Sequence, residues 1–449
     1  MLCKFLNDRF SNEGTWNLQT VLKEKGCEYM TDILLQKFFE KERWEQAIET
    51  GVDKHIDKGE LRKLCSPAVR VQLYNAIATD NYEIAPPHQA EIPKDNGDMR
   101  IVYVNENIDR IFLSIANNLF FEMFPEFVHK SCKSYQTGIG CGKIVQEVSR
   151  QMIKSKERQV GFKADLTKYF DTVPIRYIDE IFDRMEYKIG KSKIIDIVRK
   201  YYHTDLCFDI NGDLIEKYQS LKQGCSVASF LADAVLYHLD NSVSTLSGYY
   251  VRYSDDLLYV GAEWGTAFQR VKSILSDMEM TLNPKKVEAV YKDKWIKFLG
   301  FNIKGNQITL SKNRVKSFQK EIEQRTIKCK NITLKRAVNQ VNSYLYKGDG
   351  TYSWATSVLP IINVNKDIEV LNTFVMDALR ACATKKKKIG GLGSVNDRED
   401  YTILRGVGKN VTANKSKTEK EIENYLSIKC MQNALLTRRA VYDTLVRSM

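Results

Sequence analysis

Tyr253-Ser254-Asp255-Asp256 sits between two apolar, β-prone runs, Tyr249-Tyr250-Val251 and Leu257-Leu258-Tyr259-Val260. That pattern predicts a β-hairpin with two adjacent carboxylates at its tip. An Asp pair is also a common, inert hairpin tip, so the pair alone decides little. A third carboxylate raises its weight. Asp165 stands in Ala164-Asp165-Leu166-Thr167-Lys168-Tyr169-Phe170-Asp171, after an apolar run that ends at Phe162. Read alone, Asp165 is a strand-end residue capping the next helix. Read with Asp255 and Asp256 on a neighbouring strand, it completes an oxygen-only cluster of the kind that holds Mg²⁺ against substrate phosphates.

Composition bounds the rest. At 449 residues the chain is long enough for two or three domains, and 43% hydrophobic with 28% charged residues is ordinary for a folded protein. No run approaches the roughly 18 apolar residues of a membrane span. The start, Met1-Leu2-Cys3-Lys4-Phe5, has no signal-peptide core, so a cytoplasmic location is expected. Ten cysteines include no CxxC pair, which makes structural zinc improbable and free thiols the expectation. The net charge of +12 is unevenly placed. Residues 311–449 hold 26 Lys or Arg against 13 Asp or Glu, leaving 42 against 43 for the other 310. A basic last third suits a polyanionic partner, though a solvated basic tail has the same composition.

Helical spacing over residues 1 to about 85 ends at Pro86-Pro87. A hairpin turning at Asn96-Gly97 is expected before Met99–Val104. Further helices are expected over Ile108–Phe124, from Lys143, and over Tyr177–Met185 and Ser192–Tyr202. A second hairpin turns at Asn211-Gly212. Gln223-Gly224 leads into one long apolar helix, Ser229–Leu239, and another helix covers Trp264–Met280. Extended segments over Trp295–Phe301 and Gln307–Leu310 precede a basic helix, Lys312–Lys330.

These segments, in this order, resemble a reverse transcriptase of the right-handed polymerase type over roughly residues 90–305. Lys94 and Arg100 resemble the basic residues that grip an incoming triphosphate. Asp165, with Phe170 and Asp171, resembles the first catalytic motif. Gln223-Gly224 resembles the pair beside the incoming nucleotide. Tyr253-Ser254-Asp255-Asp256 resembles the Tyr-x-Asp-Asp box. Leu282-Asn283 with Lys286 resembles the motif whose lysine can protonate pyrophosphate, and Phe298-Leu299-Gly300-Phe301 resembles the primer grip. One departure is Ala228-Ser229, where many relatives have Ser-Pro. Each residue also has a plainer reading: Arg100 and Lys94 as solvated hairpin charges, Phe170 as a core aromatic, Gln223-Gly224 as a loop, and Lys286 as a surface lysine.

The resemblance implies an α+β chain with fingers, palm and thumb, an antiparallel palm sheet, a helical N-terminal leader and a basic helical C-terminal region. The expected divisions are 1–89, 90–310, 311–380 and 381–449. It implies RNA-directed DNA synthesis with two Mg²⁺ ions, or Mn²⁺, held by Asp165, Asp255 and Asp256. In that scheme Lys286 also serves catalysis, and Lys94, Arg100, Phe170, Gln223 and Gly224 bind the deoxynucleotide. Phe170 would act as a gate against the ribose 2′-hydroxyl. Tyr253, Leu299, Gly300, Lys312, Arg314, Lys316, Lys320 and Lys385, Lys386, Lys387 and Lys388 would contact nucleic acid. The subgroup it looks most like is the stand-alone, defence-associated bacterial enzymes, with group II intron, retron and diversity-generating enzymes as relatives. That subgroup implies a structured non-coding RNA as template and a DNA product, without a membrane partner. Untemplated or protein-primed synthesis is the alternative, and a catalytically silent RNA-binding scaffold a third reading.

Overall fold

The computed structural model describes residues 32–52, 56–93, 98–136, 140–347 and 353–384. The chain divides into two compact units that each collect separate stretches of sequence. The first takes described residues from Met1–Lys130, Thr167–His238 and Asp277–Met280. The second takes those from Ser131–Leu166, Leu239–Ser276 and Thr281–Met449. The strands in chain order are β1 His88–Pro93, β2 Met99–Val104, β3 Gln159–Asp165, β4 Leu206–Phe208 and β5 Leu214–Glu216. They continue with β6 Tyr249–Tyr253, β7 Asp256–Val260, β8 Glu288–Tyr291, β9 Ile296–Phe298, β10 Phe301–Lys304 and β11 Gln307–Leu310. Helices and largely antiparallel sheets are thus mixed, as the α+β expectation had it.

In the first unit, β1 and β2 form an antiparallel hairpin with Ile92 opposite Arg100. Its turn, with Lys94, lies outside the described residues. A parallel pairing of His88 with Phe208 joins that hairpin to the β4–β5 hairpin, giving the order β2-β1-β4-β5. The His88 and Phe208 rings stack there at 4.5 Å. Beside this sheet in sequence, amphipathic helices bury apolar stripes. The Ile175–Ile189 helix buries Ile178, Ile181, Phe182 and Met185, at the spacing that puts them on one face. The Lys193–His203 helix starts at Ser192, whose Oγ accepts from the Ile194 N–H.

The second unit is built on the antiparallel sheet β6-β7-β3-β8. Its strands are apolar because they are covered. Val160, Val251 and Leu258 enter one core with Ile144, Val145, Val148 and Met152 of the Cys141–Lys154 helix. The meander β9-β10-β11 and the helices Lys312–Arg325, Leu334–Asn342 and Asn365–Thr384 extend the same core. At roughly 1.5–3 kcal/mol for each fully buried large side chain, this core is the main support of the sheet edge that carries Asp165 and Asp256.

Three helices differ from expectation. The expected Ser229–Leu239 helix is divided into Ala228–Val235 and Tyr237–Ser244, because Leu236 (φ −90°, ψ 12°) leaves the helical region. The basic helix ends at Arg325 rather than Lys330. Thr326 turns away at φ −124°, ψ −97° and donates its hydroxyl to the Ile322 carbonyl. The helix from Trp264 stops at Asp277, two residues before Glu279 takes a positive φ. No described helix is long and apolar enough to cross a membrane.

Candidate active site

Asp165 is the last residue of β3, and the antiparallel register sets it directly opposite Asp256, the first residue of β7. Tyr253 closes β6 opposite Asp256, so Ser254 and Asp255 form a two-residue turn, with Ser254 at φ +56°. The Leu166 N–H donates to the Asp255 carbonyl at 3.1 Å. Two strands and one turn therefore bring Asp165 to the same sheet edge as the adjacent Asp255 and Asp256, ninety residues further along the chain.

The Leu282-Asn283-x-x-Lys286 segment is fastened to the same edge. Leu166 and Leu282 form an antiparallel bridge, and the Asn283 N–H donates to the Asp165 carbonyl at 2.8 Å. The Asn283 side chain accepts from the Lys285 N–H and starts a 3₁₀ turn, Pro284–Lys286. That turn aims Lys286, whose Nζ donates to Asp165 Oδ2 at 2.7 Å. Asp165 itself is 6% exposed. Lys163 Nζ, two residues before Asp165 on β3, stands 4.0 Å from Asp256.

The electrostatics follow from this crowding. Burial pushes the Asp256 carboxyl up to about 6; Lys163 opposes the shift, Asp255 and Asp165 add to it, and Lys286 opposes it. Burial works to lower the Lys286 ammonium. The hydrogen bond to Asp165, and attraction to Asp165, Asp255 and Asp256, outweigh that and hold it above its ordinary value. As the side chains lie, no set of three or more His, Cys, Asp or Glu among the described residues stands at metal-ligand spacing. Lys286 pairs with Asp165, and Lys163 stands beside Asp256. The donor set nevertheless fits a hard divalent cation: it is oxygen-only, and Asp255 and Asp165 both add to the upward push that burial gives Asp256.

Leu299-Gly300 is a two-residue turn joining β9 to β10, with Phe298 opposite Phe301 and both turn residues at positive φ. The primed hairpin geometry requires this, and Gly300 supplies it without strain. The Arg314 guanidinium lies over the Phe301 ring at 4.5 Å. Lys312, Lys316 and Lys320 are exposed at four-residue spacing on their helix, while Arg314 is half-buried off that line. The four basic residues thus do not form one stripe.

Among the first-unit residues, Arg100 is exposed on β2 and Phe170 is half-buried, edge-on to Tyr169 at 5.7 Å. The Phe170 carbonyl accepts from the Leu221 N–H, and the Gln223 carbonyl accepts from the Tyr103 N–H at 2.7 Å. Gly224 has φ +109°, and a Cβ there would stand 2.8 Å from the Tyr103 carbonyl oxygen. The Gln-Gly turn therefore lies against β2 at a closeness only glycine allows. Lys94 and Lys385, Lys386, Lys387 and Lys388 lie outside the described residues.

Sequence reasoning passed over Lys163, Lys222 and Arg252. Lys163 was legible as a lysine two residues before Asp165, on the same strand face. Arg252 was legible as a charge inside an apolar strand. Lys222 precedes the Gln-Gly pair, yet only the fold reveals that it is 1% exposed.

Residues 92–303 match the family described as reverse transcriptase (RNA-dependent DNA polymerase). No curated protein matches the chain by sequence. Solved structures with some likeness include the apo telomerase of Candida tropicalis (12% identity, 82% of this chain and 78% of that one, TM-score 0.41). A form of it truncated from the C-terminal domain gives 13%, 57%, 67% and 0.39. The Candida albicans telomerase in complex with a fragment of telomeric RNA gives 11%, 70%, 63% and 0.38. Likeness this loose carries no argument about activity.

Proposed function

We propose that this chain, an RNA-directed DNA polymerase by its reverse transcriptase domain, extends a primer at the edge formed by Asp165, Asp255 and Asp256. The activity implies an RNA template, a DNA product and deoxynucleotide substrates. The observation that carries the site assignment is the pairing of Asp165 with Asp256 across β3 and β7, beside the Asp255 turn.

In this reading the three carboxylates would hold two Mg²⁺ or Mn²⁺ ions. Such ions supply charge stabilisation for the entering and leaving oxygens of the transferred phosphoryl group. Lys286 holds a proton firmly against Asp165 and is positioned to donate to pyrophosphate once that carboxylate is engaged elsewhere. By resemblance, Arg100 and Lys94 bind the triphosphate, with the arginine fork able to take two phosphate oxygens. Phe170 excludes the 2′-hydroxyl, and Gln223 with Gly224 lines the nascent base pair. Tyr253, Leu299 and Gly300 support the primer. Lys312, Lys316, Lys320 and the Lys385–Lys388 run track the nucleic-acid backbone, as sequence-independent contacts do. The unit boundaries of fingers, palm and thumb, and a role copying a partner non-coding RNA in anti-phage defence, rest on the same resemblance.

Primer extension with purified protein, Mg²⁺, deoxynucleotides and an RNA template tests the assignment. Asp255→Ala with Asp256→Ala is expected to abolish product. Extension that survives that double change rejects the site. Product that persists without template, attached to protein, points instead to untemplated, protein-primed synthesis. Sequencing the nucleic acid that copurifies with the chain tests the non-coding RNA.

A further inference from the structure

The Asp255 turn has an unusual backing. Arg252, two residues before it on β6, is 0% exposed, as is its partner Asp240. Its Nε lies 2.9 Å from Asp240 Oδ1 and its Nη2 lies 2.7 Å from Oδ2, a two-pronged grip. The Tyr250 hydroxyl donates to the same Asp240 Oδ1 at 2.8 Å. The remaining guanidinium nitrogen, Nη1, donates to the Ser254 carbonyl at 3.1 Å. Arg252 thus ties a helix residue to the backbone of the turn.

Two further hydrogen bonds hold that turn. The Ser254 N–H donates to Ser134 Oγ at 3.0 Å, and the Asp255 carbonyl accepts from the Leu166 N–H. The segment bearing Ser134 is itself paired to Arg252. The Arg252 N–H donates to the Ser131 carbonyl, and the Lys133 N–H donates to the Arg252 carbonyl. Successive backbone groups on either side of Ser254 are therefore fixed, although Ser254 has the left-handed conformation that L-residues avoid. The Ser254 carbonyl belongs to the peptide plane joining Ser254 to Asp255. Its orientation sets the direction in which the Asp255 side chain leaves the backbone.

A buried ion pair is poor value as stabilisation alone, since an apolar pair of similar volume often serves as well. Its geometry supplies a different reason for it. We infer that Arg252, held by Asp240 and Tyr250, is a positioning residue that aims Asp255 through the Ser254 carbonyl, with Ser134 fixing the adjoining N–H. The inference rests on the reading of Asp255 as a cation ligand. It concerns the fine placement of that ligand, not folding or nucleotide binding.

The test compares the full-length chain with Arg252→Met, Asp240→Leu and Tyr250→Phe combined, which replaces the polar set by apolar groups. Thermal unfolding reports the fold, Mn²⁺ titration followed by electron paramagnetic resonance reports cation binding, and steady-state primer extension reports kcat and KM. The combined variant is expected to fold and to bind Mn²⁺ about tenfold more weakly. Its kcat should fall about a hundredfold while KM for deoxynucleotide moves less than about threefold. A folded variant with wild-type Mn²⁺ affinity and kcat overturns the inference. Should the combined variant not fold, Ser134→Ala decides: a weaker Mn²⁺ affinity and lower kcat at unchanged KM support the clamp, and wild-type values overturn it. Asp255→Ala with Asp256→Ala separates the two layers. If that variant still binds Mn²⁺ and extends primers, the site reading itself has failed; if it is inert while the clamp variants are normal, only the clamp has failed.

Discussion

Lys222 shows how much one residue can conceal. It stands in the left-handed region at φ +50°, beside Gln223, with its ammonium inside the first unit. Nζ donates to the Thr204 carbonyl at 2.7 Å and to Gln219 Oε1 at 3.1 Å, and lies 4.8 Å above the Tyr201 ring. Burial lowers its proton affinity to about 8, against weaker opposing pulls from Cys225, Asp205 and Cys207. The folded value lies below the unfolded one near 10.5, so the unfolded chain binds more protons between them. Stability contributed by this group is therefore lowest below about pH 8 and rises between pH 8 and 10.5. The full span is on the order of 3 kcal/mol. Urea unfolding at pH 7, 8, 9 and 10 should show the wild type gaining on Lys222→Met across that range. Parallel stability curves for the two proteins would contradict it. Sequence reading could not find this group, because a lysine before a Gln-Gly turn has the same spelling whether its ammonium faces water or Tyr201.

At the scale of elements, spacing alone carried much of the architecture. The β6–β7 hairpin and the Ile175–Ile189 helix follow directly from periodicity and turn chemistry. What stayed hidden were interruptions set by backbone conformation, such as Leu236, and stitches such as Asn283 on Asp165, which join distant segments by main-chain hydrogen bonds. The Lys312–Arg325 helix divides its basic residues between two faces. Residues 312, 316 and 320 share a face, whereas 314 is two positions off and turns toward Phe301. Lys312→Gln, Lys316→Gln and Lys320→Gln together are expected to flatten the salt dependence of primer–template binding. Each phosphate contact removed should reduce the log–log slope by about 0.9 for a B-form duplex and about 0.7 for a single strand. Arg314→Gln should leave that slope close to wild type and lower the unfolding temperature through its lost contact with Phe301. Fluorescence anisotropy from 50 to 300 mM salt reads both. An Arg314 effect on slope equal to the lysines' would show that the four act as one stripe.

For the whole molecule, the proposed reaction edge opposes stability rather than creating it. Three carboxylates share one end of the β3–β7 pair, where burial and their mutual repulsion raise Asp256 against the pull of Lys163 and Lys286. The large apolar core behind β6-β7-β3-β8 makes such crowding tolerable. If the carboxylates hold cations, the folded chain must gain stability from Mg²⁺ by mass action, and the unfolded chain must not. At a hundred times the dissociation constant that gain is about 2.7 kcal/mol. The expected outcome has two parts. Chelation should abolish extension while leaving the circular dichroism spectrum unchanged, since the fold rests on apolar packing. Added Mg²⁺ should raise the unfolding midpoint of the wild type in a concentration-dependent way. Asp255→Asn with Asp256→Asn should start from a higher midpoint in chelator, because two like charges are gone, and should lose the Mg²⁺-dependent rise. Equal Mg²⁺ responses in the wild type and this variant would mean that the cations bind elsewhere, and the assignment of the β3–β7 edge as the site of phosphoryl transfer would fall with that result.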